Sequence, residues 1–147
     1  MEKTDYAFRT VVDLPYEEAL RLIKEGLNRE GFGVLTEVDV KKVLGEKLDV
    51  QFRQYSIIGA CNPPLSQRAF TKDLDAGLVL PCNVTVYEDN DRSVVTIADP
   101  VVMIAVLRNP NLDEVAREAR EKLKRVIRAA GGGKSGLTLI NSPFERD

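Results

Sequence analysis

The feature that most constrains the fold is an apolar stripe in the last third of the chain. Between Leu112 and Ala130, apolar residues recur every three or four positions, the spacing of one face of an α-helix. The stripe consists of Leu112, Val115, Ala116, Ala119, Leu123, Val126, Ile127 and Ala130. This predicts a helix of about five turns. Because only one side of it is apolar, the helix must pack that side against another layer of structure.

Signals at both ends of this helix set the predicted domain boundary. Asn111, with Glu114 three residues later, resembles a capping box, and the glycines at 131–133 favour a helix stop. We therefore predict one α+β domain over residues 1–130, which suits a chain of 147 residues. Residues 131–147 are predicted to form a flexible, glycine-rich C-terminal tail.

The N-terminal part of the chain predicts a strand, a helix and a second strand. Residues Tyr6 to Val12 are rich in β-forming side chains, and Pro15 then favours a helix start. The next apolar residues lie on one helical face: Tyr16, Ala19, Leu20, Ile23 and Leu27. Gly33 to Val40 predicts the returning strand. Asp39 is placed to cap a short helix over Lys41 to Leu48.

The middle of the chain predicts three more strands. The first spans Val50 to Cys61 and is followed, after two prolines, by a short helix over about Leu65 to Leu74. Cys82 to Glu88 and Ser93 to Ala98 then form a predicted hairpin joined by a polar turn. The apolar stretch Val101 to Leu107 predicts one or two buried helical turns, with a strand as the alternative.

Composition excludes several classes of function. The chain has 21 Lys and Arg against 23 Asp and Glu, so it has no basic excess for a phosphate backbone, and we expect no nucleic-acid partner. It has no histidine, which excludes Ser-His-Asp and Cys-His catalysis and imidazole zinc sites. No apolar run is long enough to span a membrane, and residues 1–9 lack the apolar core of a signal peptide. We expect a cytoplasmic protein without a membrane partner.

Two cysteines are the candidate chemical site. Cys61 precedes Asn62 at the end of one predicted strand, and Cys82 precedes Asn83 at the start of another. These thiols are either small buried side chains or a reactive pair that cycles to a disulfide, binds a soft metal or ligates haem iron. Asp99 is a further candidate carboxylate, although the sequence places no second acid beside it. We assign no catalytic residue, metal site or resident cofactor.

Several segments resemble one protein family over about Arg9 to Ala130. The most specific are CNP, within YSIIGACNP, and LPCN, within GLVLPCNVTVYED, which contain both cysteines. VTIADP before the last helix also matches. The sequence resembles the family catalogued as domain of unknown function 302. This resemblance implies a fold like that of the TATA-binding protein, with two layers, a curved antiparallel sheet and helices on one face. It also implies the order β-α-β-β-β-β-α with short extra helices, in agreement with the predicted elements, and a homodimer. It implies no reaction.

Alternation in the strand ending at Cys61 bears on function. Tyr55 and Ile57 share one face, whereas Gln54 and Ile58 share the other. If helices cover one face only, the apolar residues of the other must meet something else. We therefore expect a non-enzymatic, homodimeric module that binds a small molecule or a protein partner through the uncovered sheet face. The alternative is a thiol-based redox, soft-metal or haem protein that uses both cysteines.

Overall fold

The fold is built on one antiparallel sheet. A computed structural model describes residues 1–132, and within that range the sheet has six strands in the order β1-β2-β6-β5-β4-β3. The strands are β1 (Glu2–Lys3), β2 (Ala7–Val12), β3 (Gly33–Asp39), β4 (Tyr55–Cys61), β5 (Cys82–Asp89) and β6 (Arg92–Ala98). Every neighbouring pair is antiparallel.

Five α-helices accompany this sheet in the same part of the chain. They are α1 (Tyr16–Arg29), α2 (Val40–Leu48), α3 (Pro63–Lys72), α4 (Pro100–Ala105) and α5 (Asp113–Gly132). Short 3₁₀ segments at Leu74–Leu78 and Pro110–Leu112 precede β5 and α5, respectively. The predicted strand and helix order is confirmed, with β1 as an additional short strand.

The core lies between the sheet and its two long helices. Ile58, Val84 and Ile97 stand side by side on β4, β5 and β6, and all three are fully buried. They belong to one apolar cluster with Leu27 of α1 and Ile127 of α5. Each such side chain contributes about 1.5–3 kcal/mol on burial. The predicted α+β fold, a two-layer antiparallel sheet with helices on one face, is therefore confirmed.

Some predicted boundaries were wrong. The strand expected from Val50 begins at Tyr55, because β3 already ends at Asp39 and leaves residues 50–54 without a strand on that side. The helix expected over Leu65–Leu74 begins at Pro63 and ends at Lys72. Asp39 caps α2 as predicted, with its carboxylate accepting the Lys42 N–H at 3.0 Å.

The C-terminal helix also differs in detail. A 3₁₀ turn that contains Asn111 precedes it, and Asn109 caps that turn by accepting the Asn111 N–H at 3.0 Å. Helix α5 continues to Gly132, two residues past the predicted boundary. The rest of the predicted tail, residues 133–147, lies outside the described residues. The stretch after Pro100 is helical, as predicted, and not a strand.

Both edges of the sheet carry features that discourage pairing with another strand. On one edge, β1 has only two residues, and both are charged. On the other, β3 has a bulge between Val34 and Thr36. The Glu37 side chain of β3 also forms an ion pair with Lys24 of α1 at 2.7 Å. Short strands, bulges and charges are the usual devices that block edge-to-edge association.

Candidate functional site

The two cysteines begin and end neighbouring strands. Cys82 of β5 pairs with Ala60 of β4, the residue directly before Cys61. Cys61 and Cys82 are both free thiols. The Cys61 Sγ lies 3.0 Å from the Ser66 Oγ in the first turn of α3, whereas Cys82 is buried. The two residues therefore lie on neighbouring strands one position out of register, so strand alternation directs their side chains to opposite faces of the sheet.

Burial controls the chemistry of Cys82. Burial, together with a smaller contribution from repulsion by Cys61, raises the pKa of this thiol to about 11. The side chain lines an apolar cavity of about 240 Å³ with Pro81, Asn83 and Met103. At neutral pH Cys82 is thus a protonated, weakly nucleophilic thiol in the wall of this cavity.

Two of the other predicted site residues act as helix caps. The Asn62 side chain accepts the Leu65 N–H at 3.3 Å and donates to the Glu30 carbonyl at 3.3 Å, which ties the start of α3 to the end of α1. Asp99 is 1 % exposed and accepts the Val101 N–H at 2.9 Å. These contacts give Asn62 and Asp99 structural roles. Asn83, by contrast, is exposed on β5.

A groove that the sequence did not reveal lies between α1, β3 and α2. It has a volume of about 840 Å³. Leu20, Val50 and Phe52 give it apolar walls, and Tyr16 and Ser56 lie at its base. These residues are far apart in sequence and belong to no common motif, so local patterns could not bring them together.

A hydrogen bond between two buried hydroxyl groups forms the base of this groove. It joins Tyr16 Oη to Ser56 Oγ. The pKa of Tyr16 is raised, chiefly because burial disfavours the phenolate, and nearby carboxylates such as Asp39, Glu17 and Glu37 act in the same direction. The Tyr16 side chain therefore stays neutral and serves as a hydrogen-bonding group.

Acidic side chains outnumber basic ones around the groove. Four acids and two lysines line it, a balance of −2: Glu17, Glu37, Asp39 and Glu46 against Lys41 and Lys42. Of these acids, Glu37 is neutralised by Lys24, and Asp39 is engaged as the cap of α2. With Lys24 counted against Glu37, the charged side chains at the groove sum to −1.

The sheet face that the helices leave uncovered is less apolar than the sequence predicted. Tyr55 stacks on Tyr87, with ring centroids 5.4 Å apart and planes 7° apart, and Arg53 lies 5.5 Å above the Tyr87 ring. Tyr55 and Ile57 are half-buried. On the described strands, Val38 is the large apolar side chain of this face that is exposed. The face is thus mainly polar and aromatic, without the broad apolar surface that the sequence suggested.

A more apolar exposed surface lies at the helical end of the molecule. We call it the α4 patch, and it consists of Leu74, Leu78, Val102 and Val106, which are 88, 80, 38 and 70 % exposed. Its two segments lie side by side, because Leu78 and Met103 line the same cavity and Asn109 donates to the Asp73 carboxylate at 3.2 Å. Residues 100–107 contain no charged side chain. An exposed apolar patch of this kind is typical of an interaction site.

Within residues 1–132, no group of three or more Cys, Asp or Glu side chains is arranged to hold a metal ion. In the same range, no helix is both long enough and apolar enough to cross a membrane. The cytoplasmic location stays a prediction.

Together the fold and the groove define a two-layer α+β domain with long helices on one face of an antiparallel sheet. The chain belongs to the family described as "Domain of unknown function DUF302", which matches residues 8–130. The resemblance seen in the sequence is thereby confirmed. The chain is similar to the crystal structure of an uncharacterized conserved DUF302 protein from Bacillus stearothermophilus. Identity is 26 % and the TM-score is 0.79, over 86 % of this chain and 99 % of that one. No curated protein matches this chain.

Proposed function

We propose that this protein is a non-enzymatic, homodimeric module that binds a small molecule in the groove between α1, β3 and α2. The observation that carries the proposal is the groove itself. Its volume of about 840 Å³ lies within the roughly 300–1,000 Å³ of ligand sites. Three apolar side chains line it, and the Tyr16 and Ser56 hydroxyls converge at its base among six charged side chains.

The state of the buried nucleophiles favours binding over covalent chemistry. The pKa values of both Cys82 and Tyr16 are raised, so each side chain is protonated at neutral pH. A thiolate or phenolate nucleophile would need the opposite shift. The same argument weighs against Cys82 as the resolving thiolate of the thiol-redox alternative, in which Cys61 would be the more reactive thiol.

The α4 patch supports the homodimer. A second copy would present the same uncharged stretch 100–107, so a two-fold contact would bury its exposed apolar side chains. Leu74 and Leu78 are among the most exposed large apolar residues of the described chain. The family resemblance independently implies a homodimer.

Ligand binding is tested by NMR on the full-length protein with a library of small aromatic fragments. Binding in the groove shifts the amide signals of Leu20, Phe52 and Ser56. A Gly45→Trp variant adds bulk to the groove wall and is expected to abolish these shifts, while Lys72→Trp, at an exposed site on α3, leaves them intact. Fragments that bind elsewhere, or bind equally well to the Gly45→Trp protein, would overturn the assignment.

Dimerisation is tested by sedimentation at micromolar concentration. We expect wild-type dimers, and monomers for the double variant Leu78→Glu/Val106→Glu. The matched control is Leu35→Glu/Val38→Glu, which places the same two charges at exposed apolar residues of β3, and is expected to stay dimeric. A wild-type monomer, or a control that dissociates as readily as the double variant, contradicts the α4 patch as the contact.

A further inference from the structure

The hydroxyl pair at the base of the groove contains one proton more than its hydrogen bond uses. Each hydroxyl group carries a single donor proton. The bond between Tyr16 and Ser56 uses one of the two protons, and neither hydroxyl makes a second hydrogen bond within residues 1–132. Ser56 is 2 % and Tyr16 is 9 % exposed. One buried O–H donor therefore lacks a protein acceptor.

This spare donor faces the groove. Both side chains line it, and a donor that a bound molecule shields from water without offering it an acceptor is costly. A molecule in the groove that offers an acceptor atom to this pair removes that cost. The spare proton thus specifies one chemical property of the occupant.

The charges around the pair specify a second property. Glu17, Glu37 and Asp39 all interact with Tyr16 in the sense that disfavours negative charge there. Lys41 and Lys42 on α2 and the fourth acid, Glu46, complete the charged lining, which remains acidic overall. Lys24 faces this region as well, paired with Glu37. An anionic acceptor at the pair would be repelled, whereas a neutral one would not.

This inference rests on the function proposed above. We infer that the groove selects a small apolar molecule bearing an uncharged hydrogen-bond acceptor, such as an amide or ketone carbonyl. This acceptor receives a hydrogen bond from the spare O–H donor of the Tyr16–Ser56 pair. Leu20, Val50 and Phe52 contact the apolar body. Carboxylates and phosphates of the same shape are excluded.

The test compares three probes that share a phenyl ring: benzamide, benzoate and toluene. Each is titrated into the full-length protein at low salt and followed by NMR. We expect benzamide to bind at least about tenfold more tightly than either of the others, a difference of about 1.4 kcal/mol. Equal or tighter binding of benzoate would overturn the inference, and so would equal binding of benzamide and toluene, which would mean that water satisfies the donor.

Variants of the hydroxyl pair make the test specific. Ser56→Ala leaves the Tyr16 proton free, and Tyr16→Phe leaves the Ser56 proton free, so each single variant is expected to keep the preference for benzamide over toluene. Only the double variant removes both donors and with them the preference. A double variant that still prefers benzamide by tenfold would refute the role of the pair.

A charge variant checks the second property. Glu17→Gln/Glu46→Gln is expected to raise benzoate affinity relative to benzamide, whereas the control Glu25→Gln, an exposed acid on α1 outside the groove, leaves the ratio unchanged. Unchanged ratios in both proteins would remove the electrostatic argument. Binding of toluene or benzoate in the groove without a benzamide preference refutes this inference alone. If no probe binds in the groove, the proposed function fails as well.

Discussion

Arg120 of α5 holds the buried carboxylate of Asp99 through two hydrogen bonds, from Nε to Oδ1 at 3.1 Å and from Nη2 to Oδ2 at 2.7 Å. The same carboxylate caps α4 through the Val101 N–H. The pair therefore joins the end of β6 and the start of α4 to the longest helix. The hydrogen bonds to Asp99 also raise the pKa of Arg120.

Replacing Arg120 with methionine is expected to destabilise the protein by about 3 kcal/mol, because it leaves a buried carboxylate without its counter-charge. Urea denaturation followed by circular dichroism measures the loss. The matched control is Arg125→Met, which removes an exposed ion pair to Glu30 on the same helix. Exposed pairs contribute little, so equal losses in the two variants would contradict the buried pair as a stabilising contact.

Gly59→Ala is expected to cost about 1–3 kcal/mol through overpacking. A Cβ atom at Gly59 would overlap the Thr36 hydroxyl and lie 2.8 Å from the Pro81 Cγ. At Gly33, on the neighbouring strand, a Cβ would meet nothing within 4 Å. The Gly33→Ala protein should accordingly melt close to wild type, and a similar fall in the melting temperatures of both variants would argue against close packing at Gly59.

The Tyr16–Ser56 bond is expected to show coupling in a double-mutant cycle. Ser56→Ala and Tyr16→Phe should each lower the free energy of unfolding by about 1 kcal/mol, since each removes the bond. The double variant should lose less than the sum, because no hydroxyl then remains buried without its partner. Denaturant titration of the four proteins gives the coupling energy, and strict additivity would show that the two hydroxyls act independently.

Cys82 is expected to resist alkylation at neutral pH. Its pKa of about 11, against an ordinary value of 9.0, reduces the thiolate fraction by about 100-fold at pH 7. Because the thiolate is the reactive form, the rate should rise with pH until the pH passes the pKa of the thiol. Peptide mass spectrometry after iodoacetamide treatment measures the rate, with urea-unfolded protein as the control. Similar alkylation rates in folded and unfolded protein at pH 7 would contradict this prediction and would favour the thiol-based alternative function.

Local patterns predicted the elements whose signals are contained in a short stretch of sequence. The α5 stripe and the hairpin before Asp99 are such cases, and so are the helix starts after Asn62 and Asp39. The candidate chemical site was less well predicted. Asn62 was chosen as the neighbour of Cys61 and Asp99 as a carboxylate, but both side chains cap helices. Sequence alone could not show that Arg120, 21 residues later, neutralises Asp99.

The groove depends on contacts that no local pattern encodes. Tyr16 and Ser56 are 40 residues apart, and each fits its own element as an ordinary member of an apolar or alternating face. The uncovered sheet face was predicted from alternation alone, which places Tyr55 and Ile57 on one side. Alternation does not show that Tyr87 stacks on Tyr55 and partly covers that side.

The protected margins of the sheet, the two-residue β1 and the bulged β3 with its Lys24–Glu37 pair, have a consequence for assembly. In the proposed dimer, copies of this chain would meet through side chains at the helical end. The sheet edges, with their short or bulged strands and charges, would take no part in that contact. Growth of the folded protein into fibrils by strand addition at these edges is thereby disfavoured.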